Sequence, residues 1–232
     1  NLEGAKDGPN LAMMIGHNSV REKVIGLDDR APSADELRQM QRLVEAAMAH
    51  GAIGFSSGLY YVPGCYSKTD EVTALARAAA AYGGFYSTHM RTESDGVMEA
   101  IEESIAIGRG SGLPVQISHH KVAGVSNWGR SEATLARLEK ARREGLDVTP
   151  DQYPYTASCA RAGTLLPRWV CAGGDAAARA RLADPATRQR LRAEVVARYA
   201  HVYGNDLSRI RIASSSTRPD LVGKTFADIA AA

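Results

Sequence analysis

Short apolar runs alternate with longer helical patterns along most of this chain, and that rhythm limits its fold more than any other feature. Residues 11–17 read as a buried strand. A capping box follows at Ser33 and Glu36, where the serine oxygen takes an early helical amide and the glutamate reaches back. Behind it Leu37, Met40, Val44, Ala47 and Met48 recur at helical spacing until about Gly51. Residues 52–56 form the next strand pattern and lead into a long loop with Pro63 and Gly64. A helix over about 69–82 carries Val72, Leu75, Ala76 and Ala79 inward, and residues 85–89 are extended. Asp95 is expected to cap a helix bearing Val97, Ile101 and Ile105 that stops at residues 108–110. Residues 114–119 and 146–151 supply a fourth and a fifth strand, with a helix from Ser131 bearing Leu135 and Leu138 between them.

Strands that alternate with helices in this way make right-handed parallel βαβ units. Two architectures use them: the doubly wound open sheet and the (β/α)8 barrel. No G-x-G-x-x-G turn follows an early strand and no phosphate-binding G-x-x-x-x-G-K-[ST] is present, so the barrel is the better reading. Eight barrel units usually take about 250 residues. Here five or six strands are expected, the last at residues 209–213, before a final helix near Thr225. The fold class is therefore α/β, a partial (β/α)8 TIM-type barrel. Residues 1–232 read as the central part of one barrel, with a helical and loop insertion at 156–206 after the fifth strand. Open edges are expected at residues 11–17 and near Ile210.

Composition is that of an ordinary globular chain, 44% apolar and 23% charged. A net charge of +2, scattered over helical faces, gives no reason to expect nucleic acid or a membrane surface as a partner. No apolar run approaches the length of a membrane span. Cys65, Cys159 and Cys171 form no C-x-x-C pattern and fit a reducing compartment, so a cytoplasmic location is expected.

In parallel βα architectures the chemistry sits at the C-terminal strand ends. His89, His119 and Asp151 each end a strand pattern, at near-equal intervals. Imidazole, imidazole and carboxylate around one mouth are residue types that hold zinc or orient its ligands. Arg91 and Lys121 each follow a histidine by two positions, and strand alternation puts i and i+2 on one face. Two cations beside a metal are costly without an anion, which points to a carboxylate-bearing substrate held by an arginine fork. Tyr153 and Tyr155 read either as packing aromatics or as hydroxyl donors to a substrate carboxylate or a developing oxyanion. His120 alternates outward and reads as structural, while His17 ends a strand and is open to the mouth. His50 and His201 lie in helical segments away from it.

Several motifs, in order, resemble one family. They are Gly16-His17, Arg30-Ala31-Pro32, residues 51–64 (GAIGFSSGLYYVPG), His89-Met90-Arg91-Thr92-Glu93, residues 116–121 (QISHHK) and residues 151–157 (DQYPYTA). Together they resemble the N-acyl-D-amino-acid deacylases, the D-aminoacylases of the metal-dependent amidohydrolase superfamily, over about residues 10–170. The resemblance implies a zinc-bearing (β/α)8 barrel with a small β domain. It also implies hydrolysis of a small-molecule N-acyl-D-amino acid to a carboxylate and a free D-amino acid. It casts His89 and His119 as fifth- and sixth-strand zinc ligands, and Arg91, Lys121 and Tyr153, with Tyr61 and Ser158, as substrate-binding groups.

The family's first-strand His-x-His, its upstream bridging cysteine and its strand-eight aspartate have no counterparts here. Cys65 and Asp151 stand in the wrong segments to replace them. The general base is therefore expected outside this chain, and the chain is expected to be incomplete for catalysis by itself. Two further readings stay open: a catalytically silent fragment or metal-binding module, and a cyclic-amide hydrolase of the same superfamily.

Overall fold

The computed structural model describes residues 11–232, so the start of the expected domain span lies outside the described residues. Strand β1 (Ile15–Gly16) runs directly into helix α1 (His17–Val24), and α2 (Ala34–Ala49) leads to β2 (Gly54–Gly58). Helix α3 (Thr69–Ala80), β3 (Phe85–His89), α4 (Val97–Ser111), β4 (Val115–Ile117), α5 (Ser131–Arg143) and β5 (Val148–Pro150) continue the alternation. Beyond β5 come α6 (Arg168–Cys171), α7 (Gly174–Ala183), α8 (Pro185–Tyr203) and α9 (Phe226–Ala231).

The five strands form one parallel sheet in the order β1-β2-β3-β4-β5. Strand order that follows chain order is the wall of a barrel; a doubly wound sheet reverses direction at a switch point. Phe55 and Tyr86 stack on neighbouring strands with ring centroids 5.9 Å apart. They share one buried cluster with Met40, Val44, Val72, Leu75, Ile101 and Ile105 from α2, α3 and α4. Alternation puts Phe85, Ser87 and His89 on the opposite face of β3.

Local signals that need only neighbouring residues are found as expected. Ser33 and Glu36 form both halves of the capping box, and Val72, Leu75, Ala76 and Ala79 are all buried. Several expectations are corrected. Residues 11–17 do not form a buried strand: β1 has two residues, Leu11 and Met13 are exposed at the sheet edge, and His17 opens a helix. Asp95 does not cap α4, because its carboxylate accepts from Asn127 Nδ2 at 2.7 Å and pairs with His201; the N-cap is Gly96. That helix also runs through Gly108 and ends at Gly112, which takes the left-handed φ of 80°. A Cβ on Gly108 would stand 2.4 Å from Val115 Cγ2, so the glycine is a close-packing residue and no breaker. Residues 209–213 add no sixth strand among the described residues, only an antiparallel bridge from Arg211 to Thr225. The second edge is consequently β5. Leu135 is exposed, and α5 turns Thr134, Leu138 and Ala141 inward in its place.

Candidate metal centre

Register brings the two expected histidines together. Gly58 of β2 pairs with His89, and Thr88 pairs with Ile117, so the turn after β4 begins beside the end of β3. His119 lies in that turn, two residues beyond the strand, at φ 42°. A non-glycine residue adopts this left-handed conformation at a cost. Asp151 supports it: its Oδ1 accepts the His119 N–H at 2.5 Å and its Oδ2 accepts from Gln116 Nε2 at 2.9 Å. Asp151 thus braces the turn from outside and does not join the histidines as a third ligand-like group.

The imidazoles meet closely. His89 Nδ1 lies 2.8 Å from His119 Nε2, and the ring centroids are 4.4 Å apart. Burial pushes the His89 pKa down to about 4, with the nearby His119 and Lys121 adding to the effect and Glu93 opposing it. A histidine so placed is neutral at physiological pH, the form that ligates metals. Glu93, in the turn after β3, is the residue that sequence reasoning missed. Its Oε1 lies 2.9 Å from His119 Nδ1 and accepts from Lys121 Nζ at 2.6 Å. His89, Glu93 and His119 each offer a ligand atom, all within 4.8 Å of one another. The signal was its place in the motif His89-Met90-Arg91-Thr92-Glu93, but strand periodicity ends at His89 and gives Glu93 no face.

Lys121 does reach the centre. Its Nζ also donates to the His119 carbonyl at 2.8 Å and sits 5.3 Å from the Tyr153 ring centroid. Tyr61 and Tyr60 lie against His89, at 4.8 and 5.7 Å between centroids. The Tyr61 hydroxyl is pushed above its ordinary pKa by burial and by Glu93. Tyr153 stands 6.4 Å from His119, and Ser158 is exposed in the loop beyond it. A cavity of about 1200 Å³ opens beside this group, lined by Tyr60, Tyr61, Arg161, Arg168, Arg198 and neighbouring residues.

Arg91 goes elsewhere. Its guanidinium takes both oxygens of Glu103 at 2.8 Å and donates to the carbonyls of Cys65 and Ser67 at 3.0 and 2.9 Å. Because β3 ends at His89, alternation no longer governs Arg91, which ties α4 to the loop before α3. His17 does not line the mouth either: it is fully buried, with Nε2 2.9 Å from Glu71 Oε1, beside Arg21. His120 packs inward with Nε2 3.0 Å from Thr134 Oγ1.

No protein-family model matches the chain. An N-acyl-D-glutamate deacylase of Alcaligenes xylosoxydans xylosoxydans is 42% identical over 157 residues, which are 68% of this chain and 32% of the relative. A D-aminoacylase of the same organism is 45% identical over 148 residues, 64% of this chain and 30% of the relative. The chain therefore spans about a third of the length of the curated relatives it matches. Among solved structures, an N-acyl-D-glutamate deacylase from Bordetella bronchiseptica, complexed with zinc and a phosphonate mimic of the tetrahedral intermediate, superimposes with a TM-score of 0.75. It is 36% identical, and the match covers 99% of this chain and 41% of that one.

Proposed function

We propose, from the premise that this chain belongs to the N-acyl-D-amino-acid deacylase family of the metal-dependent amidohydrolases, that it forms part of the active-site mouth of a zinc-dependent hydrolase. The substrate in this reading is an N-acyl-D-amino acid, cleaved at its amide bond to a carboxylate and a free D-amino acid. Residues 156–206 are an insertion in the same barrel. The three free cysteines fit the reducing cytoplasm as its location.

One observation carries the reading: two imidazole nitrogens, one from the end of β3 and one from the turn after β4, converge to 2.8 Å at the C-terminal edge of a parallel sheet. The donor set suits zinc, since both rings have a nitrogen at the meeting point and His89 is held neutral by burial. When bound, zinc supplies Lewis acidity toward water and toward an amide carbonyl. His89 and His119 would hold it. Lys121, Tyr61 and Tyr153 rim the centre and orient the substrate carboxylate, and fixing that carboxylate selects the hand at the α-carbon; Ser158 follows from the loop. Arg91, committed to Glu103, is assigned to architecture and removed from substrate binding. Glu93 is occupied by Lys121 and His119, so the general base is assigned to no residue of this chain.

Full-length protein assayed on N-acyl-D-amino acids, their L enantiomers and a cyclic amide tests the proposal. The account expects amine release from the D series alone, dependent on zinc. Turnover of the cyclic amide in preference, or equal turnover of both enantiomers, overturns it.

A further inference from the structure

The geometry points to Glu93 as a positioning residue that fixes the tautomer of His119, leaving Nε2 of that ring as the free donor toward a metal; this rests on the metal reading above. A neutral imidazole carries one proton and one lone pair, on different nitrogens. His119 Nδ1 faces Glu93 Oε1 at 2.9 Å, and a carboxylate only accepts, so the proton belongs on Nδ1. The lone pair is then on Nε2, the atom 2.8 Å from His89 Nδ1. Carboxylates behind ligating histidines commonly set orientation and basicity in this way.

Lys121 makes the assignment consequential. Its Nζ lies 3.0 Å from the same His119 Nδ1, and an ammonium only donates. Lysine alone would therefore draw the lone pair to Nδ1 and leave the proton on Nε2, the form that cannot ligate through that atom. Glu93 Oε1 takes the ammonium at 2.6 Å and the His119 carbonyl takes it at 2.8 Å, which diverts it from the ring. Glu93 is itself well covered, at 12% exposure, and its carbonyl accepts the Ala123 N–H at 2.6 Å, which ties the two turns together. Oε1 is already shared by two donors, so in this inference Glu93 acts from behind His119.

The test uses zinc itself and full-length protein with nitrogen-15 label. Wild type should show His119 protonated at Nδ1 with or without zinc. Glu93→Ala should bind zinc about 10–100-fold more weakly by chelator competition, keep full stoichiometry in excess zinc, and show the Nε2–H form when zinc-free. Glu93→Gln, which retains an acceptor oxygen, should fall between. Adding Lys121→Met to Glu93→Ala should lower the Nε2–H fraction relative to Glu93→Ala alone. Unchanged affinity and tautomer in folded Glu93→Ala overturn the inference, and so does loss of zinc stoichiometry in excess metal, which would make Glu93 a ligand. Should wild type bind no zinc, the metal reading fails instead, and the metal-free spectra still decide the tautomer.

Discussion

His89 Nδ1 and His119 Nε2 lie 2.8 Å apart although 30 residues separate them in the chain. Each comes from a different βα unit, and parallel pairing of β3 with β4 delivers both to the same end of the sheet. The architecture thus does the converging, while local turns choose which ring nitrogen faces inward.

Acid should weaken the centre through His89. Its pKa is lowered from 6.5 to about 4 by burial, so between those values the unfolded chain binds more protons than the folded one. Stability contributed by neutral His89 is present above about pH 6.5 and is lost as pH falls through that window. A histidine NMR titration should place the His89 midpoint near 4, and melting temperature should decline from pH 7 to pH 4.5. A midpoint near 6.5 contradicts the buried, neutral ring.

Removing the carboxylate that joins α3 to α1 should be severe. Glu71 accepts from Arg21 at 2.6 and 2.7 Å and neighbours His17, with all three side chains buried. Burial pushes the Glu71 carboxyl upward, but the His17 and Arg21 hydrogen bonds prevail and hold it below the usual range. Glu71→Ala would leave a buried guanidinium unpaired, at a cost of about 3–5 kcal/mol. Urea unfolding measures it; a loss below about 1 kcal/mol would show that the cluster is solvated.

Arg91→Ala should act on stability before it acts on substrate. The guanidinium joins Glu103 to the carbonyls of Cys65 and Ser67, and deleting it leaves those groups unsatisfied, at about 1–3 kcal/mol. Kinetics and melts on the same samples separate the roles. A rise in KM with an unchanged melting temperature would return Arg91 to the substrate.

Gly108→Ala should overpack the α4–β4 contact, where the new methyl would meet Val115 Cγ2 at 2.4 Å, for about 1–3 kcal/mol. Alanine at Gly112, with open space around it but a φ of 80°, should cost through backbone strain alone. Equal stability of Gly108→Ala and wild type would contradict the close packing.

What was legible in the sequence follows the range of the forces involved. The Ser33–Glu36 box, the buried face of α3 and the extent of β3 depend on residues within a turn or on simple period, and they appear as read. Where a distant partner competes, local reading fails: Asn127 and His201 claim Asp95, Glu103 claims Arg91, and close packing against Val115 turns Gly108 from breaker to contact. His89 and His119 were singled out because strand ends are where chemistry sits, and the fold brings their rings together. Glu93 was not, because its value depends on a left-handed turn at His119 that no periodicity announces.

Zinc content tests the central claim most directly. Purified full-length protein, with His89→Ala and His119→Ala variants shown to be folded, is measured by elemental analysis after removal of loosely bound metal. The account predicts near-stoichiometric zinc in the wild type that falls sharply in each variant. Zinc retained undiminished in both would contradict it.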